Sequence, residues 1–261
     1  MRSTDRNTAR DARETGNRTV LHRILAVLGA FDTSTTRLGL AELSRRAGLP
    51  KTTVHRIAGE LVEERLLVRD EQGLYALGMR LFEIGELVPV HRTLSSVALP
   101  IMEDLREATR KRVHLAVLDG IDVVYVEILG ATSIDVGSRP GGRIPAHATG
   151  VGKVILAYSP TATIQARLEA GLPALTPRTI TTKDALVADL RKIRSIGMSL
   201  DLEESHLGVS CVAAPVFGFN KRIRAGLSIT GPIGSMDPGL LGPAVRTAAF
   251  TLSRALRDAG L

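Results

Sequence analysis

The stretch from Leu40 to Leu77 constrains the fold of this chain more than any other part. It contains two short amphipathic segments, Leu40–Ala47 and Lys51–Leu61, joined by a turn at Gly48–Pro50. Two short apolar runs follow, separated by the polar turn Asp70–Gly73. A helix, a tight turn, a second helix and a hairpin in this order predict a winged helix-turn-helix, which places its second helix in a DNA major groove.

The spacing of polar and apolar residues in the second helix supports this prediction. Val54, Ile57 and Leu61 recur at the three- and four-residue spacing of a single buried face. Amphipathic helix pairs also occur in all-helical proteins, but a hairpin at this distance favours DNA binding. The polar residues opposite the buried face suit contacts with bases and phosphates. The predicted DNA-binding residues are Lys51, Thr52, Thr53, His55 and Arg56, with Arg45 and Arg46 of the first helix as weaker candidates for phosphate contacts.

The composition agrees with a globular protein that binds duplex DNA. The 261 residues are enough for two domains, and 44% of them are hydrophobic. A net charge of +7 favours a polyanionic partner, although so modest an excess could serve solubility alone. Aromatic residues make up 3%, which argues against single-strand binding, because that depends on stacking bases on aromatic rings. We find no apolar run of membrane-spanning length and no signal peptide, so we expect a cytoplasmic protein without membrane contact.

Changes in residue pattern along the chain predict four regions. Residues 1–17 are polar and are predicted to be a disordered tail. Residues 18–78 form the winged helix-turn-helix, and residues 79–95 form a linker helix. The helix that begins at Thr19 carries its apolar residues on one stripe, namely Val20, Leu21, Ile24, Leu25, Leu28 and Phe31. The segment 79–90 has more apolar surface than a lone connecting helix leaves exposed, so we expect it to pack on the wing or on a second copy.

Residues 96–261 are predicted to form a separate domain with a mostly antiparallel sheet, which makes the fold class α+β. Its clearest signal is a hairpin of β-branched runs on either side of Asp119 and Gly120. The other predicted strands are 198–201, 209–217 and 223–229. The predicted helices are 94–109, 150–158, one that starts at Ser159 and Pro160, 182–196 and 237–256.

The small residues of Gly150–Lys153 resemble a phosphate-binding loop, but the pattern fails. Position 147 is His where a glycine is required, and the residue after Lys153 is Val rather than Ser or Thr. The segment does place backbone N–H groups at the start of a predicted helix, where a carboxylate is favoured. The glycines could equally serve close packing against the sheet.

Cys211 is the only cysteine, which excludes an intramolecular disulfide and any multi-cysteine metal site. With His147, His206 and Asp201 it could form a nucleophile, a base and an orienting group, and the two histidines and Asp201 could hold a metal. Nothing in the sequence brings these residues together, and a lone Cys in an apolar run more often belongs to a core. We therefore expect no metal and no cofactor.

Six motifs in a fixed order make the chain similar to the IclR-type bacterial transcription factors. They are Leu49–Arg56, Tyr75–Leu81, Val113–Gly120, Ile144–Lys153, Leu175–Thr181 and Gly208–Val216. The resemblance covers residues 18–258 and implies a winged helix-turn-helix, a linker helix and a GAF-like effector domain, in a homodimer or homotetramer. It also implies an effector pocket in the second domain. Gly150 and Val151 match the family's ligand-binding loop. The positions that make polar contacts correspond to Asp201, Cys211, Ser228 and Thr230, and those of the apolar wall correspond to Val136 and Ile144.

We therefore expect a ligand-responsive transcriptional regulator rather than an enzyme. It would bind a double-stranded DNA operator, and a small organic acid in the C-terminal pocket would favour one of two arrangements of the DNA-binding domains. Two other interpretations stay open at this point. One is a Cys211-dependent hydrolase tethered to DNA, and the other is a constitutive DNA-binding protein with a vestigial pocket.

Overall fold

A computed structural model describes residues 19–130 and 138–261, without the side chains of residues 90–92. The predicted tail at residues 1–17 and the predicted pocket residue Val136 therefore lie outside the described residues. Contacts divide the chain into two units that meet at Pro89 and Val90. Each unit has its own hydrophobic core.

The first unit is the predicted winged helix-turn-helix. Its elements are α1 (Val20–Leu28), α2 (Leu40–Ala47), α3 (Lys51–Glu63), β1 (Leu67–Arg69), β2 (Tyr75–Leu77) and α4 (Met79–Gly85). Helix α2 ends at Gly48, whose φ of 63° is the left-handed conformation that glycine adopts readily. Strands β1 and β2 pair antiparallel, and Leu38 adds a bridge to Tyr75. The bridge at Leu38 connects the wing to the segment that precedes α2.

The apolar stripe predicted for α1 is only partly correct. Val27, which was not assigned to the stripe, is fully buried in the core of the first unit. Ile24, Leu28 and Phe31 pack against that core and are partly buried. Three residues of the predicted stripe are instead more than half exposed, namely Val20, Leu21 and Leu25. The C-terminal half of α1 therefore packs into the core, whereas a second apolar face of this helix is exposed to solvent.

The linker is two helices rather than one. Helix α4 ends at Gly85, and the next helix, α5 (Pro89–Thr109), begins only after a turn. Proline has no backbone N–H and disfavours the helical conformation of the residue before it, so the helix restarts at Pro89. No side chain of α4 is buried within the described chain. Most apolar side chains of this segment are therefore exposed within the described chain, and the other predicted alternative, packing on a second copy, stays a prediction.

The second unit is a six-stranded antiparallel sheet between two helical layers. The elements after α5 are β3 (Arg112–Asp119), β4 (Asp122–Leu129), β5 (Arg143–Pro145), α6 (Gly150–Tyr158), α7 (Thr161–Glu169), α8 (Lys183–Ile196), β6 (Ser199–Leu202), β7 (Val209–Phe217), β8 (Ile223–Pro232) and α9 (Pro238–Asp258). The strand order is β5-β4-β3-β8-β7-β6. Helices α5 and α9 pack on one face of the sheet, and α6 and α8 pack on the other.

The local predictions for this unit are largely confirmed, including the hairpin of β3 and β4 and the helices α6, α8 and α9. Strand β5 was not predicted, because its three residues are too short to show an alternating pattern. Among the described residues, no helix is both long enough and apolar enough to cross a lipid bilayer.

Candidate nucleic-acid interface and ligand pocket

Helix α3 separates its residues into a buried and an exposed face. Val54 and Ile57 are buried against the core of the first unit. Lys51, Thr52, His55 and Arg56 are exposed and Thr53 is half-buried. The polar side chains predicted to contact DNA thus project away from the core, as a helix that enters a major groove requires.

The start of α3 presents unpaired backbone donors. Pro50 precedes the helix and its carbonyl accepts from Val54 N at 3.0 Å, but no side chain caps this end. Among the described residues nothing accepts from the N–H groups of Lys51, Thr52 or Thr53. Free N–H groups at a helix N-terminus favour an anion, both by geometry and by the helix dipole. The same end of α3 therefore suits a phosphate.

The three predicted arginines differ in how firmly they are held. Arg56 pairs with Glu60 at 2.5 Å, and both side chains are more than half exposed. Arg45 donates twice to Glu42, at 2.8 and 2.5 Å. Arg46 reaches Glu42 at 2.8 Å and Asp32 at 2.7 Å, and it also donates to a backbone carbonyl. Hydrogen bonds from Arg45 and Arg46 lower the pKa of Glu42 to about 2. Arg46 thus cross-links its own unit, whereas Arg56 is held only by an exposed pair.

Two further arginines, one on the wing and one beside it, were not among the predicted DNA-binding residues. The guanidinium of Arg69 lies over the ring of Tyr75, 5.5 Å from its centre. Arg37 pairs with Asp70 at 3.1 Å, next to the turn between the two strands. A basic residue next to the predicted turn of the wing is the signal that could have identified Arg69, whereas no local pattern places Arg37 beside the wing.

The N-terminus of α6 lies directly on the sheet. A Cβ atom added to Gly150 would lie 3.5 Å from the Cβ atoms of Cys211 and Ala213 and 3.6 Å from that of Asp201. The side chain of Thr149 caps the helix by accepting from Gly152 N at 2.9 Å. Among the described residues, nothing accepts from the N–H groups of Gly150 and Val151.

Strand register brings the predicted polar pocket residues together. Asp201 is opposite Cys211, and Cys211 is opposite Thr230 on the next strand. Ser228 is opposite Ala213 on β7 and His114 on β3. These pairs belong to the sheet face that α6 covers, because Ala213 is part of the core beneath that helix. Ile144 of the predicted apolar wall lies on β5 and packs against the same core.

Buried side chains form a chain of hydrogen bonds across this face. The hydroxyl of Thr230 lies 2.9 Å from Cys211 Sγ and 3.0 Å from His114 Nδ1, and His114 Nε2 lies 3.1 Å from the hydroxyl of Ser138. Burial lowers the pKa of His114 to about 3, with a smaller effect from Arg112, so the ring is neutral. His114 was not predicted as a site residue. The hydroxyl of Ser228, although buried, has no hydrogen-bond partner among the described residues.

A buried ion cluster adjoins the predicted pocket residues. Lys153 Nζ lies 2.5 Å from Glu204 and 3.1 Å from Asp189, and Lys153 is 1% exposed. Asp201, one of the predicted pocket residues, contacts this cluster, because its Oδ1 accepts from Glu204 N at 2.8 Å. Burial raises the pKa of Asp201, and it raises the pKa of Glu204 to about 7. Lys153 is therefore a structural cation and not the lysine of a phosphate-binding loop.

The structure contradicts the arrangements that would make Cys211 a nucleophile. His147 binds the carbonyl of Pro173 at 3.1 Å, and His206 is exposed. The nearest histidine partner, His114, reaches Cys211 only through Thr230. Burial raises the pKa of the Cys211 thiol, which keeps it protonated and unreactive. Within the part of the chain that the structure describes, no three acidic, His or Cys side chains converge as metal ligands.

Both regions of the chain match domain models of the same protein family. Residues 20–71 match the model of the IclR helix-turn-helix domain, and residues 87–254 match that of the bacterial transcriptional regulator IclR C-terminal domain. The chain is 34% identical to the regulator XynR of Escherichia coli over 242 residues, which cover 90% of this chain and 96% of XynR. It is 34% identical to the transcriptional repressor IclR of the same organism over 224 residues, covering 84% and 82%.

Solved structures show the same fold over most of the chain. A crystal structure of an IclR homologue from Microbacterium hydrocarbonoxydans, complexed with 4-hydroxybenzoate, has a TM-score of 0.81 and 29% identity, covering 92% of this chain and all of the homologue. The IclR protein of Thermotoga maritima has a TM-score of 0.74 and 28% identity, covering 90% and 98%.

Proposed function

The chain belongs to the IclR family of bacterial transcriptional regulators, and we propose that α3 reads its operator through Thr52 and Arg56. As in its family, the first unit is the DNA-binding domain and the second unit is the effector-binding domain. We place this activity in the cytoplasm, where bacterial DNA lies. We further propose that the effector is a small organic acid and that the protein acts as a homodimer.

The exposed polar face of α3 is the proposed DNA-contacting surface. Thr52 and Arg56 reach base edges, while Lys51, Thr53 and His55 contact the flanking phosphates together with the free N–H groups of the helix start. Arg69 of the wing and Arg37 beside it bind the backbone of the adjacent groove. Arg45 and Arg46 stay the weaker candidates, because both are already paired with Glu42.

Arg56→Ala is expected to weaken operator binding by about 1–3 kcal/mol, because a base-reading arginine is lost while the fold keeps its buried face. The matched control is Arg106→Ala, since Arg106 also pairs with a neighbouring carboxylate, Glu107 at 3.5 Å, but lies on α5 in the second unit. Fluorescence anisotropy with operator and non-operator duplexes at fixed salt measures both variants. Equal operator affinity of Arg56→Ala and the parent would remove Arg56 from the interface.

The pocket beneath α6 suits a small organic acid. The carboxylate lies at the free N–H groups of Gly150 and Val151, where the helix dipole stabilises it. Thr230 and the unpartnered hydroxyl of Ser228 donate to the ligand, Asp201 and Cys211 contact its polar end, and Val136 and Ile144 contact its apolar side. The complex of the Microbacterium homologue with 4-hydroxybenzoate supports a carboxylic acid of this size.

Ser228→Ala is expected to weaken binding of the cognate acid at least tenfold, because a buried hydrogen bond to a charged group is worth about 1.5–3 kcal/mol. Ser210→Ala is the matched control, since its hydroxyl is also buried without a partner but alternates to the other face of β7. Calorimetric titration with a panel of carboxylic acids that includes 4-hydroxybenzoate measures both variants. If the two serine variants lose affinity equally, Ser228 does not contact the ligand.

Exposed apolar side chains of the first unit support a homodimer. The outer face of α1 carries Val20, Leu21 and Leu25, and the α4 segment carries Met79, Phe82, Ile84, Leu87 and Val88, all about half exposed or more. Surfaces of this kind mark association sites in water. A second copy of the chain is the occupant that we propose, because duplex operators are commonly read by two helices related by a two-fold axis.

Phe82→Asp is expected to convert the oligomer to a species of half its mass, since a charge would be buried in an apolar interface. Sedimentation velocity measures the mass, and Glu83→Asp serves as the control at the neighbouring position of α4. An unchanged sedimentation coefficient for Phe82→Asp would show that α4 is not part of the contact between copies.

A further inference from the structure

A cleft on the effector domain lies apart from the pocket beneath α6. It has a volume of about 780 Å³ and runs between β7 and α9. Strand β6 pairs with β7 only as far as Ala213, so β7 residues 214–217 have no second neighbouring strand among the described residues. Tyr158, at the opposite end of α6 from Gly150, forms one side of the cleft. The volume is in the range of small-molecule sites.

The free edge of β7 cannot accept another strand. Pro215 has no backbone N–H, and the N–H of Phe217 already donates to the hydroxyl of Ser253 on α9 at 2.9 Å. An edge with its donors removed or occupied does not extend a sheet. The cleft therefore does not suit a β-strand of a partner, and its occupant must be held by side chains.

The centre of the cleft is aromatic. The rings of Tyr158 and Phe217 meet edge to face with their centres 5.1 Å apart. Phe250 on α9 lines the same cleft and is 61% exposed. Three aromatic side chains in one lining, one of them largely in solvent, provide apolar surface for a flat group.

Cations lie around this aromatic centre. Arg246, Phe250, Ser253 and Arg257 follow one another at four-, three- and four-residue steps, so they form one stripe of α9. The stripe is about 16 Å long, at 1.5 Å per residue. Lys221 adds a third cation to the lining. Among the described residues, no ion pair involves these three cations, and no acidic side chain lines the cleft.

We propose that this cleft binds an elongated amphiphilic anion, with an aromatic or apolar body on Phe217 and Phe250 and an acidic group at Arg246 or Arg257. Unpaired arginines favour a carboxylate, sulfonate or phosphate group, and arginine also stacks on flat rings. The site is distinct from the effector pocket, whose polar residues lie beneath the start of α6. An anion bound in this cleft would stabilise the folded effector domain by mass action, independently of the effector pocket.

The experiment uses the full chain and two fluorescent probes of the same shape. The first probe, 8-anilinonaphthalene-1-sulfonate, is anionic, and the second, N-phenyl-1-naphthylamine, lacks the sulfonate. The cleft variants are Arg246→Glu and Phe250→Ser. Their controls on the same helix are Arg254→Glu and Leu240→Ser, since neither residue lines the cleft and Leu240 is 74% exposed. Thermal unfolding and circular dichroism establish that each variant is folded.

Both cleft variants should bind the sulfonate at least tenfold more weakly, whereas both controls and the pocket variant Ser228→Ala should bind it as the parent does. The uncharged probe should lose affinity in Phe250→Ser but not in Arg246→Glu. The proposal is overturned if the controls lose as much affinity as the cleft variants, or if the cleft variants lose none. A loss in Ser228→Ala would place the probe in the effector pocket and would also overturn it.

Discussion

Lys153→Met is expected to lower the free energy of unfolding of the effector domain by about 3–5 kcal/mol at pH 8, because it leaves carboxylates buried without their cation. Lys153 is 1% exposed and pairs with both Glu204 and Asp189. Methionine has a similar length and fills the same space, so the loss reports on charge rather than on a cavity. Denaturation of the full chain in guanidinium chloride, followed by circular dichroism, measures it.

The pH dependence of this loss follows from Glu204. Burial raises the pKa of its carboxyl from an ordinary 4.5 to about 7, and Lys153 opposes the rise. Between these two pH values the folded state holds a proton that the unfolded state has lost, so the contribution of Glu204 to stability is complete below 4.5 and disappears as the pH rises through about 7. Without Lys153 the pKa rises further, so the destabilisation is greatest at pH 8 and shrinks toward pH 5.

The control for Lys153→Met is the double variant Lys153→Met, Glu204→Gln. Its uncharged amide removes the main buried charge, so it should recover part of the lost stability and flatten the pH dependence. A loss in Lys153→Met that is equal at pH 5 and pH 8 would contradict the assignment to Glu204.

The elements that the sequence predicts well are those whose signals are local. The first helix of the helix-turn-helix pair is predicted at Leu40–Ala47 and observed with those bounds, because Gly48 ends it in a left-handed conformation. The hairpin around Gly120 is also marked by a glycine in the left-handed conformation, with a φ of 66°. Periodicity also predicts which face of α3 is buried, since Val54 and Ile57 lie in a short helix packed on one side only.

The features that the sequence did not predict depend on distant residues. Lys153 and Glu204 are 51 positions apart, so no local pattern pairs them, and the order of strands places β3 beside β8 across more than 100 residues. His114 was missed because an isolated histidine in a strand resembles a core residue. The pocket role of Asp201, Cys211, Ser228 and Thr230 was predicted from the family resemblance, because local patterns alone did not bring the four residues together. Strand register explains why they lie together, and their role in binding stays a prediction.

At the glycine-rich start of α6, Gly152 is required for close packing. The sequence alone had allowed either packing or ligand binding as the reason for these glycines. A Cβ atom on Gly152 would lie 2.1 Å from the carbonyl oxygen of Ala146 and 2.6 Å from its Cα. These are backbone atoms of the turn that leads into the helix, so they cannot move aside as a flexible side chain would. At Gly150 the nearest atoms would lie at 3.5 Å, which is an ordinary van der Waals contact. There is therefore space for a Cβ atom at Gly150 but not at Gly152.

Gly152→Ala is accordingly expected to lower the free energy of unfolding of the effector domain by about 3 kcal/mol or more, since an added methyl group without space forces the backbone to shift. Gly150→Ala should keep the domain folded, with stability within about 1 kcal/mol of the parent, because alanine is favoured in a helix. Its methyl group would nevertheless lie against Asp201 and Cys211, in the space proposed for the acid, so the effector affinity should fall at least tenfold. Thermal unfolding measures the first effect and calorimetric titration the second. Equal stability of the two alanine variants would contradict the packing role of Gly152, and unchanged effector affinity in Gly150→Ala would contradict the location of the pocket.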